Sequence, residues 1–112
     1  MAERYIPRSV DAEQAVLGGL MLDNDRWDEV VLMLRGEDFS LAVHRVIFRS
    51  MSELAVSGQP FDLITLSEHI EKTHNIEALG GFAYLAELSK NTPSAANIMA
   101  YVRIVAEKSM LR

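Results

Sequence analysis

The sequence has no cysteine and is poor in basic residues, and both shortages narrow its possible functions. Without cysteine the chain forms no disulfide, no cysteine-ligated zinc finger and no thiol nucleophile, and it is compatible with a reducing compartment. Its 11 Lys and Arg residues stand against 16 Asp and Glu residues, which gives a net charge of −5. Because binding to DNA phosphates requires clustered Lys and Arg side chains, this balance disfavours binding of duplex DNA by this chain alone.

Long apolar runs are missing as well. No stretch approaches the roughly 18 consecutive apolar residues of a transmembrane helix, and the N-terminal residues lack the apolar segment of a signal peptide. We therefore expect a cytoplasmic protein with no membrane contact. The 112 residues are 49% hydrophobic and 24% charged, which is typical of one globular domain with a single core.

Apolar residues recur with the period of an α-helix along most of the chain, and no useful stretch alternates with the period of a strand. The pattern predicts an all-α fold, a compact bundle of about six helices. We expect a flexible tail over residues 1–8 and a helical domain over residues 9–112. The predicted helices are Val10–Leu22, Asp25–Leu34, Leu41–Ser57, Leu63–Thr73, Phe82–Lys90 and a last helix that begins at Ser94 or Asn97 and continues to the final residue.

The first predicted helix has clear start signals and one unusual feature. Ser9 is a suitable N-cap, and Asp11 and Glu13 fall in the first turn, where the helix dipole favours acids. Gly18 and Gly19 lie inside the helix, where each glycine costs up to about 1 kcal/mol relative to alanine. We interpret the pair as a point of close packing with a crossing helix, and a hinge or a binding groove is the alternative.

The last predicted helix has more apolar positions than a terminal helix needs to bury a single face. A stripe of that width predicts burial on more than one side, including against another chain. We therefore expect a partner or subunit interface formed by Ile98, Tyr101, Val102, Val105, Met110 and Leu111.

No catalytic, cofactor or metal site is predicted. No glycine is followed by lysine, which excludes a phosphate-binding loop of the Walker type from these residues. The histidines are not spaced as metal ligands require, and His44 is interpreted as a surface or helix-capping histidine. Trp27, Tyr84 and Tyr101 are interpreted as core side chains rather than platforms for stacking bases. The residues thus predict a helical interaction module and not an enzyme.

Five sequence segments together resemble one protein family. The first, DAEQAVLGGLM, lies at residues 11–21, and the whole set consists of Asp11–Met21, Phe39–Phe48, Gly58–Leu66, Leu79–Leu85 and Asn91–Asn97. In this order they resemble the N-terminal domain of bacterial replicative helicases of the DnaB type. The resemblance covers residues 9–112.

This resemblance implies properties that composition and spacing do not. Members of the family are hexameric rings that unwind DNA with ATP and magnesium, using a RecA-like motor domain that is absent from this chain. Their N-terminal domain forms a collar that pairs subunits and receives primase and the helicase loader. The resemblance therefore implies no cofactor and no catalytic residue here, and self-association, primase and loader as partners. It also implies that the last helix extends toward a helical hairpin.

A weak single-stranded DNA-binding module is the alternative function. It would use Arg45, Arg49 and nearby aromatic side chains to contact phosphates and bases. The excess of acidic residues counts against it, and no direct DNA binding is expected from this chain.

Overall fold

A computed structural model of the chain describes residues 6–112, and within that range the chain is helical and contains no strand. The α-helices are α1 Val10–Leu22, α2 Trp27–Val30, α3 Ala42–Val56, α4 Leu63–Thr73, α5 Gly81–Asn91 and α6 Ile98–Leu111. Three short 3-10 turns connect them, at Asn24–Arg26, Gly36–Asp38 and Ile76–Leu79. The predicted all-α fold with six helices is confirmed.

Local capping explains why two helices begin where the sequence predicts. The Ser9 hydroxyl accepts a hydrogen bond from the backbone N–H of Ala12 at 3.2 Å, which caps α1. At the start of α4, the Asp62 carboxylate accepts from the N–H of Thr65 at 2.9 Å, and the Thr65 hydroxyl accepts from the N–H of Asp62 at 2.8 Å. This reciprocal pair satisfies two donors that a helix start otherwise leaves unpaired.

The second predicted helix, Asp25–Leu34, is wrong in length. A 3-10 turn occupies its beginning, and α2 is helical only over Trp27–Val30. The Val30 carbonyl then accepts from the N–H groups of both Met33 and Leu34, each at 3.0 Å, which closes the helix and turns the chain. The turn buries Leu34 and leaves Leu32 84% exposed. The apolar residues after Val30, although spaced as in a helix, therefore lie in a turn, and several of them are exposed to solvent.

Helix α1 lies at the centre of the bundle and packs against α3, α5 and α6. The core around it contains apolar side chains from every helix. One end of the core is aromatic, because Trp27 lies 4.9 Å from Phe48 and 5.5 Å from Phe61, measured between ring centroids. Phe39 extends this cluster at 5.0 Å from Phe48. Such ring pairs add to the burial of apolar area that stabilises the fold.

Gly18 and Gly19 are the point of closest helix packing, as interpreted from the sequence. A Cβ atom at Gly18 would lie 2.6 Å from the Leu88 carbonyl oxygen, and one at Gly19 would lie 3.0 Å from the Ile98 side chain. The contact at Gly18 is with backbone, so a side chain there would push α5 away. The contact at Gly19 is with the end of the Ile98 side chain, which would have to shift slightly. Gly18 therefore sets the distance between α1 and α5.

Part of the predicted tail, residues 1–5, lies outside the described residues. Residues 6–8 are not helical, and the Pro7 carbonyl accepts a hydrogen bond from Arg112 at 3.0 Å. None of the helices between residues 6 and 112 is long and apolar enough to cross a membrane.

We predict that Gly18→Ala destabilises the protein by about 1–2 kcal/mol, even though alanine is the better helix former, because the added methyl meets the Leu88 carbonyl. The matched control is Gly36→Ala, whose added methyl would lie 3.8 Å from its nearest neighbour and should change stability by about 0.5 kcal/mol or less. Urea unfolding followed by far-UV circular dichroism measures both. Equal stability of the two variants would contradict the close-packing interpretation.

Candidate partner surface and its buried support

Three of the six residues predicted to form a partner interface belong instead to the core of this chain. Ile98, Val102 and Val105 are each no more than 1% exposed. They follow one another at i, i+4 and i+7, so they form a single stripe on α6, the helix that packs against α1. The prediction that these three face a partner is therefore corrected, because α1 already covers them.

The other three predicted residues retain access to solvent. Tyr101 is partly buried and lines a cleft of about 320 Å³ between α1, α5 and α6. Met110 is 87% exposed and Leu111 is 61% exposed, and Ile104, near the middle of α6, is 38% exposed. We call Met110 and Leu111 the exposed end of α6. Its role as an interface stays a prediction.

The exposed end of α6 is held by a set of hydrogen bonds around Asp38. The Ser109 hydroxyl donates to one carboxylate oxygen of Asp38 at 2.7 Å, and the backbone N–H of Arg35 donates to the other at 2.7 Å. The Arg112 guanidinium donates to the Asp38 carbonyl at 2.6 Å. Because Ser109 and Arg112 flank Met110 and Leu111, these bonds fix where the two apolar side chains stand.

A largely buried polar network links α1 to α3 and α5. The Glu13 carboxylate lies 2.7 Å from His44 Nδ1 and accepts from the N–H of Ser40 at 2.9 Å. His44 Nε2 lies 2.6 Å from the Tyr84 hydroxyl, which also accepts from the Gln14 side-chain amide at 3.2 Å. Glu13 is 1% and His44 0% exposed. The network therefore joins α1, α3 and α5 through two buried side chains, Glu13 and His44, and two partly buried ones, Gln14 and Tyr84.

Two opposing effects act on the pKa of Glu13. Burial raises the pKa of its carboxyl, whereas hydrogen bonds from His44 and Ser40 lower it, and the hydrogen bonds prevail, so that the pKa lies below its ordinary value. Glu13 is therefore ionised at neutral pH and acts only as an acceptor. It follows that His44 Nδ1 carries a proton and donates it to Glu13.

The interpretation of His44 as a surface or capping histidine is wrong. The helical period contains the missed signal, because His44 shares a face with Ile47, Phe48 and Met51 at i+3, i+4 and i+7. On α1 the same spacing places Glu13 on one face with other buried residues, namely Val16, Leu17 and Leu20. Two polar residues on apolar faces of neighbouring helices indicate a buried pair.

Several ionisable side chains make contacts within the fold. The Glu13 and His44 side chains, 1% and 0% exposed, lie 2.7 Å apart. No group of three or more His, Asp or Glu side chains within residues 6–112 is arranged to hold a metal ion. Arg45, one of the two arginines in the DNA-binding alternative, donates to the carbonyls of Phe39 and Ser40 at 2.9 and 3.0 Å. Its guanidinium is engaged within the fold.

Comparison with known proteins decides the family. A family model described as the DnaB-like helicase N terminal domain matches residues 5–107. The chain belongs to this family. The resemblance that the five sequence segments indicate is thereby confirmed, and residues of all five segments lie within the match.

Relatives of the DnaB family are much longer than this chain. The replicative DNA helicase DnaB of Buchnera aphidicola subsp. Baizongia pistaciae is 53% identical over 107 residues. The matched region covers 96% of this chain and 23% of that relative. The chain thus spans about a quarter of the length of the curated relative it matches.

Solved DnaB structures share the helical arrangement. The N-terminal domain of the Mycobacterium tuberculosis DnaB helicase superposes with a TM-score of 0.92 at 35% identity, over 96% of this chain and 77% of that one. The N-terminal domain of the Helicobacter pylori DnaB helicase gives a TM-score of 0.78 at 25% identity, over 91% and 79% of the two chains. The latter structure is described together with that domain's interactions with primase.

We predict that Glu13→Gln lowers the free energy of unfolding at pH 7 by about 2 kcal/mol, because it leaves His44 without its charged acceptor. Folding lowers the pKa of the Glu13 carboxyl, so the ionised carboxylate stabilises the folded state fully at pH values above 4.5, the ordinary pKa. This stabilisation is lost as the pH falls through the lowered pKa of the folded state. The difference between wild type and variant should therefore shrink below pH 4.5.

The matched control is Glu68→Gln, which changes an exposed carboxyl on α4. Urea unfolding of the three proteins at pH 7 and at a series of acidic pH values measures the effect. If the two variants have the same stability at pH 7, the buried network does not stabilise the fold.

Proposed function

We propose that this chain is the non-catalytic N-terminal domain of a hexameric, ATP-dependent replicative helicase that acts in the cytoplasm. The observation that carries the proposal is the match to the DnaB N-terminal domain over residues 5–107, while the chain spans only 23% of a full-length relative. The remaining length of such a relative is ample for a motor domain that uses ATP and magnesium. The domain's own role would be to associate with neighbouring subunits and to dock primase and the helicase loader.

Primase is the partner with the most direct support. The Helicobacter pylori domain, similar in fold to this chain, is described with its interactions with primase. In this chain the exposed end of α6 offers apolar side chains beside the charged Arg103 and Glu107, which are also exposed. An apolar centre with a polar rim is the usual composition of a protein-docking surface.

The exposed end of α6 also has the apolar character of a subunit contact. Met110 and Leu111 stand in solvent although they are large and apolar, and hydrogen bonds to Asp38 hold the helix end in place. Contact with a following helix or with a second subunit would remove this apolar area from water, which is favourable at about 25 cal/mol per Å². Subunit association through this end accounts for their exposure.

We predict that the double substitution Met110→Asp and Leu111→Asp weakens association at least tenfold, because it places two charges in the apolar contact. Calorimetric titration with the helicase-interacting end of a primase measures docking, and light scattering at increasing protein concentration measures self-association. The control is Val56→Asp, which changes an 86% exposed apolar residue at the end of α3. This substitution should leave primase docking and self-association unchanged.

Circular dichroism should show the same helical content in all three proteins. Unchanged association in the double variant would exclude the exposed end of α6 as the docking surface. A wild-type chain that stays monomeric and gives no heat with the primase domain would contradict partner binding by this chain. Submicromolar binding of single-stranded DNA that falls steeply with salt would instead support the DNA-binding alternative.

A further inference from the structure

A second surface lies between α2 and α3, and none of its lining residues belongs to α6. It is an open groove of about 500 Å³, which we call the Trp27 groove. Its apolar lining comes from Trp27, Val31, Leu34 and Phe48. Its polar rim is formed by Arg35, Glu37, Arg49 and Ser52. The groove thus combines an aromatic floor with charged side chains at its edge.

The apolar surface extends beyond the groove along the turn that follows α2. Val31, Leu32 and Met33 are consecutive and are 38%, 84% and 43% exposed. They stand in solvent because α2 ends at Val30 and only Leu34 turns back into the core. Contiguous exposed apolar residues next to a concave surface mark an interaction site more often than scattered ones do. The turn and the groove form one such surface.

The charges at the rim favour an acidic occupant. Arg49 is exposed and forms no hydrogen bond or ion pair with any residue between 6 and 112. The Arg35 guanidinium lies 3.8 Å from Glu37, with both side chains more than three-quarters exposed, and an ion pair so exposed is weak. The rim therefore has two exposed guanidinium groups and one carboxylate, so it is locally positive although the whole chain has a net charge of −5. Guanidinium groups pair best with carboxylates through two parallel hydrogen bonds.

We propose that the Trp27 groove binds a short acidic peptide segment of a partner protein. One aromatic or large aliphatic side chain of the segment lies on Trp27, and carboxylates on either side of it pair with Arg35 and Arg49. A nucleic acid fits less well, because two arginines offer few of the phosphate contacts on which nucleic-acid binding depends. The open shape suits an extended segment better than an enclosed small molecule.

The experiment uses the intrinsic fluorescence of Trp27, which is the only tryptophan in the chain. The probe is the acetylated hexapeptide Asp-Asp-Leu-Phe-Asp-Asp, titrated into the full chain at low salt. We expect a saturable change in tryptophan emission that weakens as salt is added. Arg49→Glu and Arg35→Glu should each weaken binding roughly three- to tenfold. The matched control is Arg103→Glu, an exposed arginine on α6, which should leave the affinity unchanged.

Two altered peptides test the chemistry without changing the protein. Replacing every Asp by Lys should abolish binding, and replacing Leu and Phe by Ser should weaken it at least tenfold. The proposal would be overturned if the Lys peptide bound as tightly as the Asp peptide. It would also be overturned if the Arg49→Glu chain bound the Asp peptide as tightly as wild type does. The absence of any saturable change in both tryptophan emission and the anisotropy of a labelled peptide would overturn it too.

The two other occupants of the groove give distinct results. Binding of oligothymidine that is lost in Arg49→Glu, without peptide binding, would assign the groove to nucleic acid and overturn the proposal. A concentration-dependent increase in mass that Val31→Asp removes, again without peptide binding, would assign it to a second copy of this chain.

Discussion

The close approach of α1 to α5 and α6 at Gly18 and Gly19 is the constraint on which the rest of the domain depends. A side chain at Gly18 would meet the Leu88 carbonyl and separate α1 from α5, and one at Gly19 would force the Ile98 side chain to shift. The short distance allows Ile98, Val102 and Val105 to reach the core beside Leu17 and Leu20, the buried residues of α1. Two glycines that weaken an isolated helix therefore make the bundle possible, because tertiary packing outweighs helix propensity.

The buried Glu13 and His44 pair adds specificity to this packing. Apolar contacts tolerate small shifts between helices, whereas hydrogen bonds at 2.7 Å between Glu13 and His44, and at 2.6 Å between His44 and Tyr84, require a defined geometry. A shift of α3 or α5 relative to α1 would leave buried polar groups without partners, which is costly. The network thus fixes how α1, α3 and α5 meet.

The apolar residues within residues 6–112 divide into those that the fold buries and those that it leaves exposed to solvent. On α6 the stripe that faces α1 is buried, while Met110 and Leu111 remain in solvent, held beside Asp38. After α2 the turn exposes Leu32 at the edge of the Trp27 groove. The chain belongs to the DnaB N-terminal domain family and spans about a quarter of the length of the relative it matches.

The sequence by itself determined the helical class, most helix bounds and the family, because these depend on local signals such as the Ser9 cap and on blocks of adjacent residues. It did not determine which faces of α6 are buried, since apolar spacing alone does not distinguish a core contact from a partner contact. It also missed the burial of His44 and the early end of α2 at Val30. Only the tertiary structure decided that α1 covers the buried face of α6 and that His44 pairs with Glu13 and Tyr84, because these contacts join residues far apart in the chain.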